Sequence, residues 1–103
     1  MLDSIEKMEI LLSDVELEKF LNDFIIHLSA ERLLEIIGEA AARLSQGFKE
    51  KYTHVPWNEI RNLRNVISHE YFDVDYKAIW AIIQNDVPEL KENLLEILKN
   101  EEA

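Results

Sequence analysis

Three residues with chemically active side chains stand close together in the middle of the chain: Arg64, His69 and Tyr71. An arginine guanidinium offers a rigid pair of donors to phosphate oxygens, and a histidine imidazole takes up or releases a proton near neutral pH. Asn65, beside the arginine, adds a neutral amide. Together these side chains are suited to cleaving a phosphodiester bond without a metal ion.

RNA is the substrate that such a site can cleave, because RNA carries its own nucleophile. The ribose 2′-hydroxyl attacks the adjacent phosphorus and leaves a cyclic phosphate and a 5′-hydroxyl. His69 would act as general base or acid, a contribution of roughly 10²–10⁴ in rate. Arg64 would neutralise charge on the phosphoryl oxygens, and Asn65 would orient His69 or the phosphate. DNA lacks the nucleophile, so we expect no cleavage of DNA.

The spacing of Arg64 and His69 favours a site shared by two chains. Residues five apart on an α-helix lie about 140° apart around its axis, so one helix does not aim Arg64 and His69 at one spot unless His69 bends away at the helix end. Two facing copies would bring Arg64, Asn65 and His69 of both chains around one cleft. The sequence therefore predicts a homodimer.

The elements that must position these residues are helical, because apolar residues recur every three to four positions along the whole chain. We predict one all-α domain over residues 1–103, with four to five helices and a long central helix. The predicted helices run over residues 2–12, from a capping box of Ser13 and Glu16, over 21–46, over 57–69 after Pro56, and over 76–100.

Helix-ending and helix-starting residues give these bounds. Gly47 is a natural stop for the central helix, and residues 48–53 are predicted to be a connector with a basic face. Asp73 or Asp75 is predicted to cap the last helix, and Pro88 to kink or split it. The inner stripe of that helix is predicted to contain Ile79, Trp80, Ile83, Val87, Leu90, Leu94, Leu95 and Leu98.

The central helix is apolar on more than one side, which indicates burial against several neighbours or against a second copy of the chain. Its small residues from Gly38 to Ala42 offer a place where another helix can approach closely. Glu39, within this run, serves either packing of the helix or the site. His27 is interpreted as a packing or interface residue.

The composition excludes several classes of function. There is no cysteine, which rules out disulfides, thiolate metal sites and cysteine nucleophiles. No spacing of His, Asp and Glu is typical of a metal site, and there is no glycine-rich phosphate loop. We therefore expect no metal and no cofactor on this chain. With no apolar run of about 18 residues and no basic leader, we expect a soluble cytoplasmic protein without membrane contact.

The net charge of −10 is unfavourable for RNA binding, but its distribution is uneven. Residues 42–69 contain five basic and two acidic side chains, so this segment carries +3 and the remainder −13. A basic segment in an otherwise acidic chain is compatible with weak, salt-sensitive RNA binding. Arg61, Lys51 and His54 are the candidate RNA contacts around the motif, although an exposed loop position is an ordinary place for His54.

Over nearly its whole length the chain resembles the HepT-like branch of the HEPN superfamily. The resemblance rests on the Arg-x4-His-x-Tyr motif of Arg64, His69 and Tyr71 and on the following pairs and runs at family-like spacing: Arg64-Asn65, Val74-Asp75, Ile79-Trp80, Asp86-x-Pro88, Pro56-Trp57 and Ile36 to Ala40. It implies a small up-and-down helical bundle that dimerises, and a metal-independent ribonuclease toxin of a type VII toxin-antitoxin pair that acts on tRNA or mRNA.

The resemblance also implies a partner and a modification. The partner is a minimal nucleotidyltransferase antitoxin that attaches AMP units to the hydroxyl of Tyr71. Each unit would place bulk and a negative phosphate two residues from His69, where it could occupy the Arg64 cleft. The alternative for Tyr71 is an aromatic residue packed between helix ends. The alternative for the whole protein is a helical dimer without catalysis, a scaffold or nucleotide-holding subunit of a nucleotidyltransferase, and the low basicity favours it slightly.

Overall fold

The computed structural model describes residues 1–64 and 75–102, and both stretches are helical with turns between the helices. No strand occurs in these two stretches, which confirms the all-α prediction. The helices are α1 (Leu2–Leu11), α2 (Leu17–Asn22), α3 (Phe24–Ala42), α4 (Gln46–Lys51), α5 (Trp57–Arg61) and α6 (Tyr76–Glu102).

Helix α3 occupies the centre of the bundle and packs against α1, α2 and α5. Its fully buried face consists of Ala30, Leu34, Ile37 and Ala41, which follow the spacing of one side of an α-helix. Full burial of a large aliphatic side chain contributes about 1.5–3 kcal/mol, so Leu34 and Ile37 each stabilise the fold by about this amount. The same core contains the following buried residues of α1, α2 and α6: Ile5, Met8, Phe20, Ile79, Ile83, Val87, Leu90 and Ile97.

The predicted start of the central helix is wrong, because the chain leaves helical geometry at Asp23. This residue has an extended backbone, and its carboxylate accepts hydrogen bonds from the amides of Ile25 at 3.1 Å and Ile26 at 3.4 Å. An N-cap aspartate satisfies amide groups that the first helical turn leaves unpaired. The apolar pattern continues across the break, which hid it, and α3 ends at Ala42 rather than at Gln46.

The predicted capping box of Ser13 and Glu16 is also wrong. Helix α2 begins at Leu17 with Glu16 as its N-cap, and no side chain caps it. The chain turns instead at Asp14, whose φ of 60° lies in the left-handed region that aspartate adopts more readily than most residues.

Gly47 does not stop a helix; it lies inside α4, where a connector was predicted. The hydroxyl of Ser45 accepts a hydrogen bond from the amide of Phe48 at 3.1 Å and so starts this helix. Phe48 packs beside Tyr52 and Trp57, with ring centroids 5.1 Å and 6.0 Å away. This packing holds the short helix despite its glycine.

The third predicted helix is interrupted. Helix α5 begins at Trp57, as predicted, with Pro56 as its N-cap, but it ends at Arg61, and the chain turns at Asn62 before Leu63 and Arg64 are helical again. The rest of the predicted helix, up to His69, lies outside the described residues.

Helix α6 is one helix through Pro88, so the predicted split is wrong. Asp75 caps it by accepting hydrogen bonds from the amides of Lys77 and Ala78, both at 3.1 Å, whereas Asp73 lies outside the described residues. The inner stripe is corrected near its end, because Leu95 and Leu98 are each 48% exposed and Ile97 is buried.

Gly38 is where α3 approaches the chain between α5 and Arg64. A Cβ added there would lie 3.1 Å from the amide nitrogen of Arg64, 3.2 Å from the carbonyl oxygen of Ile60 and 3.3 Å from that of Arg61. All three are backbone atoms, which cannot rotate away. The prediction that small residues here allow close approach is therefore confirmed at Gly38.

We expect Gly38→Ala to lower the free energy of unfolding by about 1 kcal/mol, because overpacking against backbone outweighs the gain in helix propensity. Gly47→Ala is the matched control, since nothing lies within 4 Å of its added Cβ. It should leave stability unchanged or raise it by up to about 1 kcal/mol. Urea unfolding of both variants measures this, and a Gly38→Ala protein as stable as wild type would contradict the packing argument.

Candidate functional site

Of the four residues predicted to form the site, Arg64 is described and is exposed. Asn65, His69 and Tyr71 lie outside the described residues. The geometry of the described part therefore concerns how the chain is held immediately before and after the motif segment, residues 65–74.

The chain entering the segment is fixed by packing. Ile60 is buried and Leu63 is partly buried against the core, and the backbone from Ile60 to Arg64 lies against Gly38 of α3. Buried residues three apart on one side of the chain leave Arg64 on the outside. Arg64 is thus an exposed residue whose backbone packs against α3.

The chain leaving the segment is fixed by an aromatic contact and a carboxylate. The hydroxyl of Tyr76 donates a hydrogen bond to Oε2 of Glu31 at 3.0 Å. The ring of His27 stacks on the ring of Tyr76 with centroids 4.1 Å apart, and Nδ1 of His27 lies 2.9 Å from the carbonyl oxygen of Phe20. His27 is therefore a packing residue, as one interpretation of the sequence held.

Both ends of the motif segment are held by the same helix. Glu31 and Gly38 are seven residues apart on α3, which is two turns, so they share a face and are about 10 Å apart along its axis. Arg64 is fixed at one of these points and Tyr76 at the other. Arg64, just before the motif segment, and Tyr76, which follows it after Asp75, are thus both in contact with α3.

The hydroxyl of Tyr76 has a raised pKa in this position. Burial, the hydrogen bond to Glu31 and the negative charge of that carboxylate together raise its pKa to about 12. The neutral hydroxyl is the form that the site stabilises.

The three candidate RNA contacts are placed differently. Lys51 is paired with Glu101, with 2.6 Å between Nζ and Oε2, and this hydrogen bond raises the pKa of Lys51. The hydroxyl of Tyr52 donates to the same carboxylate oxygen at 2.7 Å. His54 is exposed beside the ring of Tyr52, with ring centroids 6.4 Å apart.

Arg61 faces an open groove of about 440 Å³ between α4 and α5. Lys49 lines the same groove, together with Gln46, Glu50, Asn58 and Glu59. Lys49 was not predicted to contact RNA, because residues 48–53 were predicted to be a connector rather than a helix. The signal was the helical spacing of Gln46, Lys49, Glu50 and Thr53, all of which line this groove.

Glu39 is partly exposed on α3, and its Oε1 lies 3.9 Å from Nη1 of Arg32 in an ion pair. Among the residues that the structure describes, no group of three or more His, Asp or Glu side chains is placed to hold a metal ion. No helix in the same part of the chain combines the length and the apolar character needed to cross a bilayer.

Comparison with known proteins gives one consistent family. A family model described as ribonuclease HepT-like matches residues 1–97. A candidate RNase of Methanocaldococcus jannaschii is 41% identical over 79% of this chain and 74% of its own length. A candidate RNase of Caldanaerobacter subterraneus is 42% identical over 84% and 78%. A protein of Thermococcus cleftensis named probable ribonuclease HepT is 35% identical over 86% and 81%. No solved structure matches.

The raised pKa of Tyr76 predicts a stability change at high pH. A tyrosine whose folded pKa is about 12 and whose unfolded pKa is about 10 stabilises the fold fully below pH 10. This contribution is lost as the pH rises from 10 towards 12. The difference in urea midpoint between wild type and Tyr76→Phe should be constant below pH 10 and shrink above it. Glu31→Gln should weaken the effect, and a difference independent of pH would contradict the assignment.

Proposed function

The chain belongs to the ribonuclease HepT-like family, and from this premise we propose that it cuts RNA by attack of the ribose 2′-hydroxyl, without a metal ion. Arg64 stabilises the charge on the phosphoryl oxygens, His69 transfers the proton, and Asn65 orients one of them. The observation that carries the proposal is the placement of Arg64, exposed on a backbone that Gly38 packs against. A fixed cation costs no rearrangement when charge develops on the phosphate.

Charge near Arg64 supports an RNA substrate, tRNA or mRNA. Arg61 and Lys49 line one groove, and Arg61 is three residues from Arg64. A backbone of phosphates passing along this groove would contact these two cations, and the carboxylates of Glu50 and Glu59 in the same groove would weaken the attraction. Lys51 would contribute only after its carboxylate partner Glu101 gave way to a phosphate, and we assign it and His54 a minor role.

We propose that the active form is a homodimer. The angle between Arg64 and His69 on one helix favours a site completed by a second copy. An apolar surface suited to a partner is present at the start of α3, where Phe24 and Ile25 are each 64% exposed and Leu28 is 49% exposed. Leu28 follows His27, which stacks on Tyr76 at the exit of the motif segment. A second copy on this surface would therefore lie near the motif.

We propose that a nucleotidyltransferase antitoxin silences the enzyme by attaching AMP to Tyr71. The chain has three tyrosines. The hydroxyls of Tyr52 and Tyr76 each donate to a carboxylate, of Glu101 and Glu31 respectively, which makes them poor acceptors of a nucleotide. A phosphate on Tyr71 would lie two residues from His69 and compete with RNA for Arg64.

A second candidate function is favoured by the acidity of the chain. The net charge is −10, and one of the basic residues around the motif is paired with Glu101. A helical dimer with such weak general attraction for RNA would serve as the nucleotide-holding or scaffold subunit of a nucleotidyltransferase, with Arg64 and His69 binding a phosphate.

The deciding experiment is cleavage of total cellular RNA in EDTA by purified protein whose Tyr71 carries no nucleotide. Wild type should give discrete fragments with cyclic phosphate ends. His69→Ala should slow cleavage by roughly 10²–10⁴, and Arg64→Ala by roughly 10²–10³. Arg43→Ala, an exposed arginine at the end of α3, is the matched control and should retain activity.

Two results would contradict the ribonuclease. Cleavage that persists in both His69→Ala and Arg64→Ala would come from a contaminating enzyme. Intact RNA in every lane, from unmodified folded protein, would favour the nucleotide-holding subunit.

Modification is tested by co-expression with a small nucleotidyltransferase of the proposed antitoxin type. Wild type should gain the mass of one or more AMP units and lose ribonuclease activity. Tyr71→Phe should gain no mass and remain active, while Tyr52→Phe should behave as wild type. AMP on Tyr71→Phe would place the modification elsewhere.

A further inference from the structure

A second groove, on the side of α5 away from Lys49, lies between α5 and α6 and is unlike the first. Its floor is apolar and consists of Ile60, Leu63, Ile82, Val87 and Leu90. Three of these are buried in the core, while Leu63 and Ile82 are partly exposed. The groove therefore offers apolar surface to a binding partner without any change in the core beneath it.

The rim of this groove is acidic. Glu59 on α5 and Asp86 and Glu89 on α6 border it, and all three side chains are exposed. Within the described residues none of the three carboxylates has a partner in an ion pair. Three unpaired carboxylates around one apolar floor create a negative potential over it.

Size and charge together restrict the occupant. The groove has a volume of about 180 Å³. Pockets for small-molecule ligands are usually about 300–1,000 Å³, so this one is suited to a single large side chain rather than a whole metabolite. Nucleic acid is disfavoured by the carboxylates. A second copy of the chain, with a net charge of −10, would be repelled by the same rim.

We propose that this groove docks a segment of a basic protein partner, which inserts one large apolar side chain between α5 and α6 and places Lys or Arg side chains against Glu59, Asp86 and Glu89. The inference goes beyond the proposed ribonuclease and does not depend on it. Anchoring of one apolar side chain inside a charged rim is the usual organisation of a small binding site for a peptide. Because Leu63 lies in the floor, the partner would contact the residue immediately before Arg64.

The test uses the full chain and a short synthetic peptide with one central Phe flanked by lysines, labelled for fluorescence anisotropy. The peptide should bind saturably, and binding should weaken with salt. A peptide with glutamates in place of the lysines, and one with Ala in place of Phe, should each bind more weakly. Shifts of the Leu63 and Ile82 methyl signals on titration should locate the peptide in the groove.

Two triple variants with equal charge make the test specific. Glu59→Gln, Asp86→Asn and Glu89→Gln together remove the rim and should weaken binding of the lysine peptide about tenfold. Asp14→Asn, Glu16→Gln and Glu18→Gln together make the same change in net charge at exposed positions just before and at the start of α2. The second triple should bind as wild type.

Several outcomes would overturn the proposal. Absence of saturable binding, or equal weakening by the two triple variants, would show attraction to the overall negative charge and no docking site. Equal binding of the glutamate peptide would refute charge recognition. A wild-type dimer that the rim triple converts to a monomer, measured by light scattering, would show that a second copy occupies the groove.

Discussion

The close approach of α3 to the chain at Gly38 is the contact on which the candidate site depends. A side chain at this position would crowd its neighbours, because backbone atoms of Ile60, Arg61 and Arg64 lie 3.1–3.3 Å from the position of a Cβ. Two turns earlier, Glu31 of the same helix holds Tyr76. The residues that flank the motif segment, Arg64 and Tyr76, therefore both contact α3. Accurate placement matters for proton transfer, since positioning errors of about 1 Å cost rate.

Two grooves lie beside α5 and differ in charge. Arg61 and Lys49 line one groove together with the carboxylates of Glu50 and Glu59, so its charges balance. Glu59 also borders the other groove, with Asp86 and Glu89, over an apolar floor. Ile60, between Glu59 and Arg61 in sequence, is buried in the core and holds the helix in this orientation. Of the two grooves, the second carries a net negative charge, which suits a basic partner.

Much of the fold could be predicted from the sequence, because the buried side of a helix requires apolar residues every three to four positions, and the sequence contains this pattern. The all-α class, the bounds of α1 and the start of α6 at Tyr76 after Asp75 follow from that period and from capping preferences. The break at Asp23 was missed because apolar residues continue on both sides of it. Helix α4 was not predicted, because a glycine such as Gly47 commonly ends a helix. In the structure the Ser45 cap and the packing of Phe48 against other aromatic residues stabilise the helix. Ile97 is in the core instead of Leu95 and Leu98, because the packing of α6 against its neighbours determines which of its apolar residues are buried.

The candidate site could be predicted only in part. Residue types and spacing indicated Arg64, His69 and RNA chemistry, and the family match supports a ribonuclease. The pairing of Lys51 with Glu101 could not be foreseen, because fifty residues separate the two. The relation of His69 to Arg64 stays a prediction, since His69 lies outside the described residues.

The most direct test of the account is the single-turnover rate of RNA cleavage in EDTA by Gly38→Ala and Gly47→Ala, at a temperature where both are folded by circular dichroism. If α3 positions the site through Gly38, the first variant should cleave roughly 10²-fold more slowly, and the second at the wild-type rate. A Gly38→Ala protein with wild-type activity would contradict the claim that this contact positions Arg64, and a wild type without activity would contradict the ribonuclease itself.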